Sequence, residues 1–511
     1  MCTRLTPSSK ELPKCPHDIG APRRVSKNLN SLDVLVLKYC GSNKGAISKF
    51  PAVNTASLVT TDVAQGYRYE TTQQWKNMDK LCLQRSQALI DSLPNELLCE
   101  ILKMAIEGTP YLHCVRKYAL MNVCRHWRNV ILNTPRFWNF IPLAWPASVV
   151  KEHIKWSRQC SLDATICDLW HTPLYKIHAL LDVLIPTAHR WNSLIIENQN
   201  FRGSHISIIL NRLGPTVFPV LTYLCIDEAS IWHFHSPQLR FLSTHKFPML
   251  KELKLFNIAA TGLQIPSTLE RLTLCLTSAF GIDTWLPSLS RLKALSLAGC
   301  TKGFSINPNS IHLPSLARFA CHVTHAEPLL QALLAPNLTH VDYSQSHSES
   351  LFHVFNEIKS KLKSVRELRL WFPTHDNAPS DSDGLISLCL AAPEVRGVEV
   401  MDRALNALLG DRSPIDHWKR LERVAIIGSV KELRTMQRIV PWLKQRRNTG
   451  KRRLEIGFSL RRDSGVNSRK AFFRKIRKFG DGVDFRVEER IAPLMPGYTP
   501  CTVSDDSLNI I

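Results

Sequence analysis

Between residues 191 and 426 one short apolar pattern returns ten times, and it constrains the fold more than any other property of the chain. Its clearest copy is Leu292-x-x-Leu295-x-Leu297-x-x-Cys300, and looser copies of the same six-residue core begin at Trp191, Leu221, Leu250, Leu269, Leu316, Leu338, Val365, Val395 and Leu421. Their starts lie 19 to 30 residues apart. One copy is expected by chance in a leucine-rich chain, whereas ten in series at one period are a repeat. Several follow a proline by two residues, as at Pro219, Pro248, Pro314, Pro336 and Pro393, where the ring ends the preceding segment before a short strand begins. No unit is large enough to bury its own apolar side, so neighbours must stack. The pattern predicts an α/β architecture: an irregular solenoid of leucine-rich-repeat type, with a parallel sheet and helices or loops outside it. A competing α/β sandwich with irregular crossovers would have fewer and longer strands. Residues 157–196, with Cys160-Ser161-Leu162-Asp163 and His189-Arg190-Trp191, start the array, and 454–456 and 483–487 supply its last strands.

Ahead of the array the periodicity becomes helical. In Asp91-Ser92-Leu93-Pro94-Asn95-Glu96-Leu97, Pro94 suits a first helical turn and Glu96 sits where the helix dipole favours an anion. Leu93, Leu97, Ile101 and Ala105 form one row, and Leu98, Leu102 and Ile106 a neighbouring one, so this helix needs partners on two sides. A second helical pattern runs through Leu120, Val123, Cys124, Trp127, Val130 and Ile131 and stops at Asn133-Thr134-Pro135. A hairpin this apolar presents an exposed patch unless something covers it. It either caps the next domain, with Trp127 and Trp138 as core, or docks another subunit.

The ordered set Leu93-Pro94-x-Glu96-Leu97-x-x-x-Ile101-Leu102, Val123-Cys124-Arg125-x-Trp127-Arg128 and Phe137-Trp138 resembles the F-box. The link from Glu107 to Ala119 is longer than usual for that family and carries His113, Arg116 and Lys117. With the repeat array behind it, the arrangement resembles the F-box proteins expanded in fungi. The resemblance implies a substrate-recognition adaptor of a Skp/cullin/F-box ubiquitin ligase. Leu93, Pro94, Leu97, Ile101, Leu102, Val123 and Trp127 would anchor a Skp-family adaptor and, through it, a cullin. The concave sheet face would hold an unidentified protein substrate through residues between the strand leucines, among them Thr222, Tyr223, Lys251, Lys254, Arg271, Thr273, Lys293 and Ser296.

Charge is uneven. Residues 434–478 hold 16 Lys and Arg against 2 Asp and Glu, whereas 89–433 hold 34 against 29. The block includes Lys444, Arg446, Arg447, Arg452 and Arg453, and an amphipathic helix with Phe472, Phe473, Ile476 and Phe479 is expected inside it, its basic side solvated. A nuclear import signal or an acidic partner would suit this block; nucleic acid is not the expected partner.

Little points to catalysis. Phosphate-binding loops, the Gly-x-Ser-x-Gly elbow and His-Glu-x-x-His are all missing from the sequence, and Cys40-Gly41-Ser42 lies in a polar tail. The 15 cysteines are scattered without a Cys-x-x-Cys, which suits buried thiols in a reducing compartment. Cys321-His322-x-x-His325 with His233 and His235 is the nearest approach to a metal cluster, and no metal or cofactor is expected. No apolar run reaches the length of a membrane span or a signal peptide, so the expected location is cytoplasmic, nuclear or both. The domain expectation is a disordered region at 1–70 with an apolar run at 34–37, a helical lead-in and F-box at 71–145, the repeat domain at 146–490 and a tail at 491–511. A leucine-rich interaction scaffold without a ligase role, or a nucleic-acid binder using the basic block, are the alternatives in other functional classes.

Overall fold

The computed structural model describes residues 93–460, apart from connecting segments of which 229–241 and 373–381 are the longest, together with Arg474 and 489–491. The expectations for 1–92, for His233 and His235, and for 483–487 lie outside the described residues, as does nearly all of 469–479. The chain divides into two compact units, Met1–Ile131 and Leu132–Ile511.

In the first unit, α1 (Asn95–Ile106) starts just after Pro94, whose carbonyl accepts from Leu98 N at 3.0 Å. The link beyond it is no loop: it folds as α2 (Pro110–Met121), and a turn at 122–124 leads into α3 (Arg125–Asn133), so the expected two-helix hairpin is a three-helix module. Polarity hid this element. Lys117 is fully buried, with its ammonium 5.8 Å from the centre of the Tyr118 ring, so a charged residue of the long link lies inside.

Among the described residues, the second unit is built on one parallel sheet of fourteen strands whose spatial order follows the chain. These are β1 (Phe140–Pro142), β2 (Leu162–Ile166), β3 (Trp191–Asn198), β4 (Tyr223–Glu228), β5 (Glu252–Ala259), β6 (Arg271–Ser278) and β7 (Ala294–Gly299). There follow β8 (Arg318–Val323), β9 (His340–Ser344), β10 (Glu367–Trp371), β11 (Gly397–Met401), β12 (Arg423–Gly428), β13 (Glu455–Leu460) and β14 (Glu489–Ile491). Each of the ten hexamers supplies one of these strands. Its first, fourth and sixth residues are all under 5% exposed, as with Leu250, Leu253 and Leu255, and burying each is worth about 1.5–3 kcal/mol. They join one continuous core running from Ile141 to Phe458.

The chain turns into its strands in the same way from repeat to repeat. Two successive amides donate to one carbonyl of the preceding repeat: Lys251 and Glu252 to Thr222 at 2.9 and 3.0 Å, Lys293 and Ala294 to Glu270 at 2.8 and 3.0 Å, and Glu422 and Arg423 to Arg396 at 2.8 and 2.9 Å. This satisfies both donors where the strand begins. What varies is the return path, and the hexamer spacing follows it. The 30-residue spacings at 191–221 and 365–395 contain helices His205–Leu213 and Ser382–Ala391, whereas the 23-residue spacing at 269–292 contains one short helix, Ile282–Trp285, and a 3₁₀ turn.

The two linking steps noted in the sequence fasten the start of the sheet. Arg190 Nη2 donates to Cys160 O at 2.7 Å and to Ser157 Oγ at 2.9 Å, clamping the turn ahead of β2. Asp163 accepts from Asn139, Asn192 and Ser193 at 3.2, 3.3 and 2.7 Å, tying β1, β2 and β3 together. The sheet also begins earlier than expected, at Phe140, and Trp138 packs with Trp156 at 4.7 Å between ring centres. Helix Arg434–Asn448 corrects the reading of the basic block in one place. Arg446 is not solvated: its side chain is 5% exposed, pairs with Asp416 at 3.4 Å and lies over Trp442.

Candidate functional site

Two surfaces carry the residues singled out from sequence. The first is on α1, where the two apolar rows separate. Leu98, Leu102 and Ile106 are buried to 1% or less, while Leu97 is 54%, Ile101 42% and Met104 66% exposed. Of the seven expected anchors, Pro94, Leu97 and Ile101 are exposed and Leu93, Val123 and Trp127 are half-buried. Leu102 is fully buried, so it is unavailable to a partner and holds the module together. Val115 and Tyr118 on α2 add exposed apolar surface that sequence reasoning missed because they lay in the supposed link. Inside the module, burial and then the Lys117 ammonium lower the His113 pKa to about 4.

The second surface is the polar face of the sheet, formed by strand residues that alternate with the buried ones. Register puts Tyr223, Glu252, Arg271 and Ala294 in one row, and Cys225, Lys254, Thr273 and Ser296 in the next. Thr222, Lys251 and Lys293 stand at the leading edge, one residue before each strand. Five of the eight expected target-facing residues, Tyr223, Lys254, Arg271, Thr273 and Ser296, therefore share the polar face, the other three lie at its leading edge, and three of the four cations are already engaged. Glu252 takes Arg271 at 2.6 Å and Lys254 at 3.2 Å, Lys254 lies 5.3 Å from the centre of the Tyr223 ring, and Lys293 pairs with Glu270 at 2.9 Å. Beyond the second row Glu197 and Asp227 stand directly opposite each other. Burial, helped by the Glu197 charge, pushes the Asp227 carboxyl up to about 6.

Further along the same face, β8 to β12 carry a charge network that the sequence reading did not reach. Asp342 accepts from Trp371 Nε1 at 2.8 Å and from Arg369 Nη1 at 3.4 Å, Arg369 Nε also reaches Glu399 at 2.7 Å, and Glu367 crosses Gly397 to Arg423 at 2.7 Å. Burial raises the Asp342 pKa despite the opposing pull of His322 and Arg369. The charged members of this network occupy the third and fifth hexamer positions, as Tyr223 and Lys254 do, which is the signal that could have found them. The supposed metal ligands separate: Cys321 is fully buried in the core, while His322 lies on the polar face 3.7 Å from Asp342. Among the described residues no three metal-binding side chains cluster, and no helix is long and apolar enough to cross a membrane.

Comparison with protein families identifies an F-box-like domain over residues 90–141, covering the three helices and the first two residues of β1. No curated protein matches the chain.

Proposed function

We propose that a chain carrying an F-box-like domain ahead of this repetitive parallel sheet works as a non-catalytic substrate receptor of a Skp/cullin/F-box ubiquitin ligase. In that role α1 and its neighbours dock a Skp-family adaptor, the adaptor joins a cullin, and the leucine-rich-repeat-like sheet holds a protein target. The chain contributes proximity, holding a target lysine where other subunits carry out ubiquitin transfer.

The observation that carries this reading is the exposed row Leu97, Ile101 and Met104 on a helix whose other row is completely buried. Apolar side chains so placed cost solubility unless a partner covers them, and a buried aliphatic anchor is what dominates such interfaces. The test is capture of a Skp-family adaptor by the tagged full-length chain. The wild type is expected to retain the adaptor, and Leu97→Asp with Ile101→Asp to lose it while keeping the wild-type circular dichroism spectrum. Retention by that double variant would remove the basis for docking through α1. Failure of the folded wild type to bind any Skp-family adaptor would leave an interaction scaffold with no ligase role.

A further inference from the structure

On the polar face most charges are spent within the protein, and among the exceptions three arginines fall on neighbouring strands. Along β8 to β12 the carboxylates are engaged: Asp342 and Glu399 with Arg369, Glu367 with Arg423, Glu394 with Arg420 and Glu422 with a further group. Arg318, Arg366 and Arg396 are exposed, and none makes a side-chain hydrogen bond or ion pair among the described residues. Register places Arg366 and Arg396 at the leading edge, one residue before β10 and β11, and Arg318 next to that edge as the first residue of β8. Arg318 stands opposite His340, Arg366 N donates to Thr339 O beside that histidine at 2.9 Å, and Arg396 N donates to Arg366 O at 2.8 Å. The His340 pKa is lowered by burial and by Arg318 and Arg423, against the pull of Glu367.

We propose that this leading edge of β8–β11, with Arg318, Arg366 and Arg396 as its contacts, binds an acidic, extended segment of the target protein through charge complementarity. The proposal rests on the sheet being the target-holding surface, and it adds the chemistry of what is held. Three strand spacings separate β8 from β11, about 14 Å, which an extended chain spans in about four or five residues. A guanidinium at each end and one between them can meet successive carboxylates, with forked donors suited to that group. Arg318, His340, Thr339, Arg366 and Arg396 include no Phe, Tyr or Trp on which the bases of a single nucleic-acid strand would stack, and Trp371 further along that face is half-buried with its Nε1 bonded to Asp342, which favours a peptide. The arginines are uncommitted because their potential partners face other arginines. Gly397, for instance, leaves room for Glu367 to reach Arg423 instead of Arg366 or Arg396, since a Cβ there would stand 2.1 Å from Glu367 Oε2.

The probe is a fluorescent twelve-residue peptide of Asp, Glu and Gly, titrated by anisotropy against the full-length chain at low and moderate salt. Arg318→Ser with Arg366→Ser and Arg396→Ser is expected to weaken binding about tenfold and to flatten its salt dependence. Arg366→Glu, a single change at an exposed position, is expected to weaken it in the same direction and guards against misfolding of the triple variant. Arg452→Ser with Arg453→Ser and Arg461→Ser, in the basic block, is expected to leave it unchanged. Equal binding by the arginine triple, loss confined to the basic-block triple, binding only of a phosphorylated neutral peptide, or tighter binding of an oligothymidine each overturns the proposal. Peptide binding by Leu97→Asp with Ile101→Asp separates it from the adaptor reading: that variant is expected to bind the peptide as the wild type does.

Discussion

Gly299 and Gly397 both lack a side chain where one would collide with a neighbouring repeat, yet their replacement has different consequences. Gly299 closes β7 at φ 109°, and a Cβ there would lie 2.1 Å from the Leu276 carbonyl oxygen, which is backbone and cannot move aside. At Gly397 the obstruction is the tip of the Glu367 side chain, which can swing away and give up its partly exposed pair with Arg423. Gly299→Ala is therefore expected to cost about 3 kcal/mol or more, and Gly397→Ala no more than about 1 kcal/mol, by urea denaturation. Asp227 gives a pH dependence. Its folded pKa of about 6 stands above its ordinary value of 3.8, so the native state holds the proton more tightly and stability falls as pH rises from about 4 through 6. Asp227→Asn should leave the melting temperature unchanged near pH 4 and raise stability by about 1–2 kcal/mol at pH 7.5. An equal effect at both pH values would show that the ionised carboxylate carries no penalty.

At the scale of elements, legibility in the sequence followed periodicity. The ten hexamers were readable because each alternates buried and exposed residues and repeats its three apolar positions, and all ten became strands. The return paths were not readable in the same way, since helices and irregular turns serve equally well to bring the chain back. Helix α2 escaped because its polar residues broke the apolar pattern, and only the fold reveals that Lys117 points inward. Arg446 escaped for the converse reason: in a run of basic residues nothing local marks the one that meets Asp416 and Trp442. On α1 the two rows were visible but their roles were not, because sequence gives spacing and not which side is covered. That division is measurable. Leu102→Ala is expected to cost about 2–5 kcal/mol, and Leu97→Ala less than about 0.5 kcal/mol, in thermal or urea unfolding. Comparable losses at both positions would mean that Leu97 is packed within the protein.

For the whole molecule, the two compact units carry different chemistry. One leaves an aliphatic row uncovered, while the other spends most of its face charges internally and leaves three arginines unspent along one edge. Apolar contact and ionic contact respond oppositely to salt, so the two surfaces are separable in one protein. The F-box-like domain over 90–141 supports an adaptor role, and the claim on which the rest depends is that α1 is where the adaptor sits. Hydrogen exchange on the full-length chain, with and without a purified Skp-family adaptor, tests it most directly. The account predicts slowed exchange in Asn95–Ile106 and Arg125–Asn133 with the strands β4 to β12 unchanged. An adaptor that binds yet leaves Asn95–Ile106 unprotected, or that protects only the sheet, would contradict it.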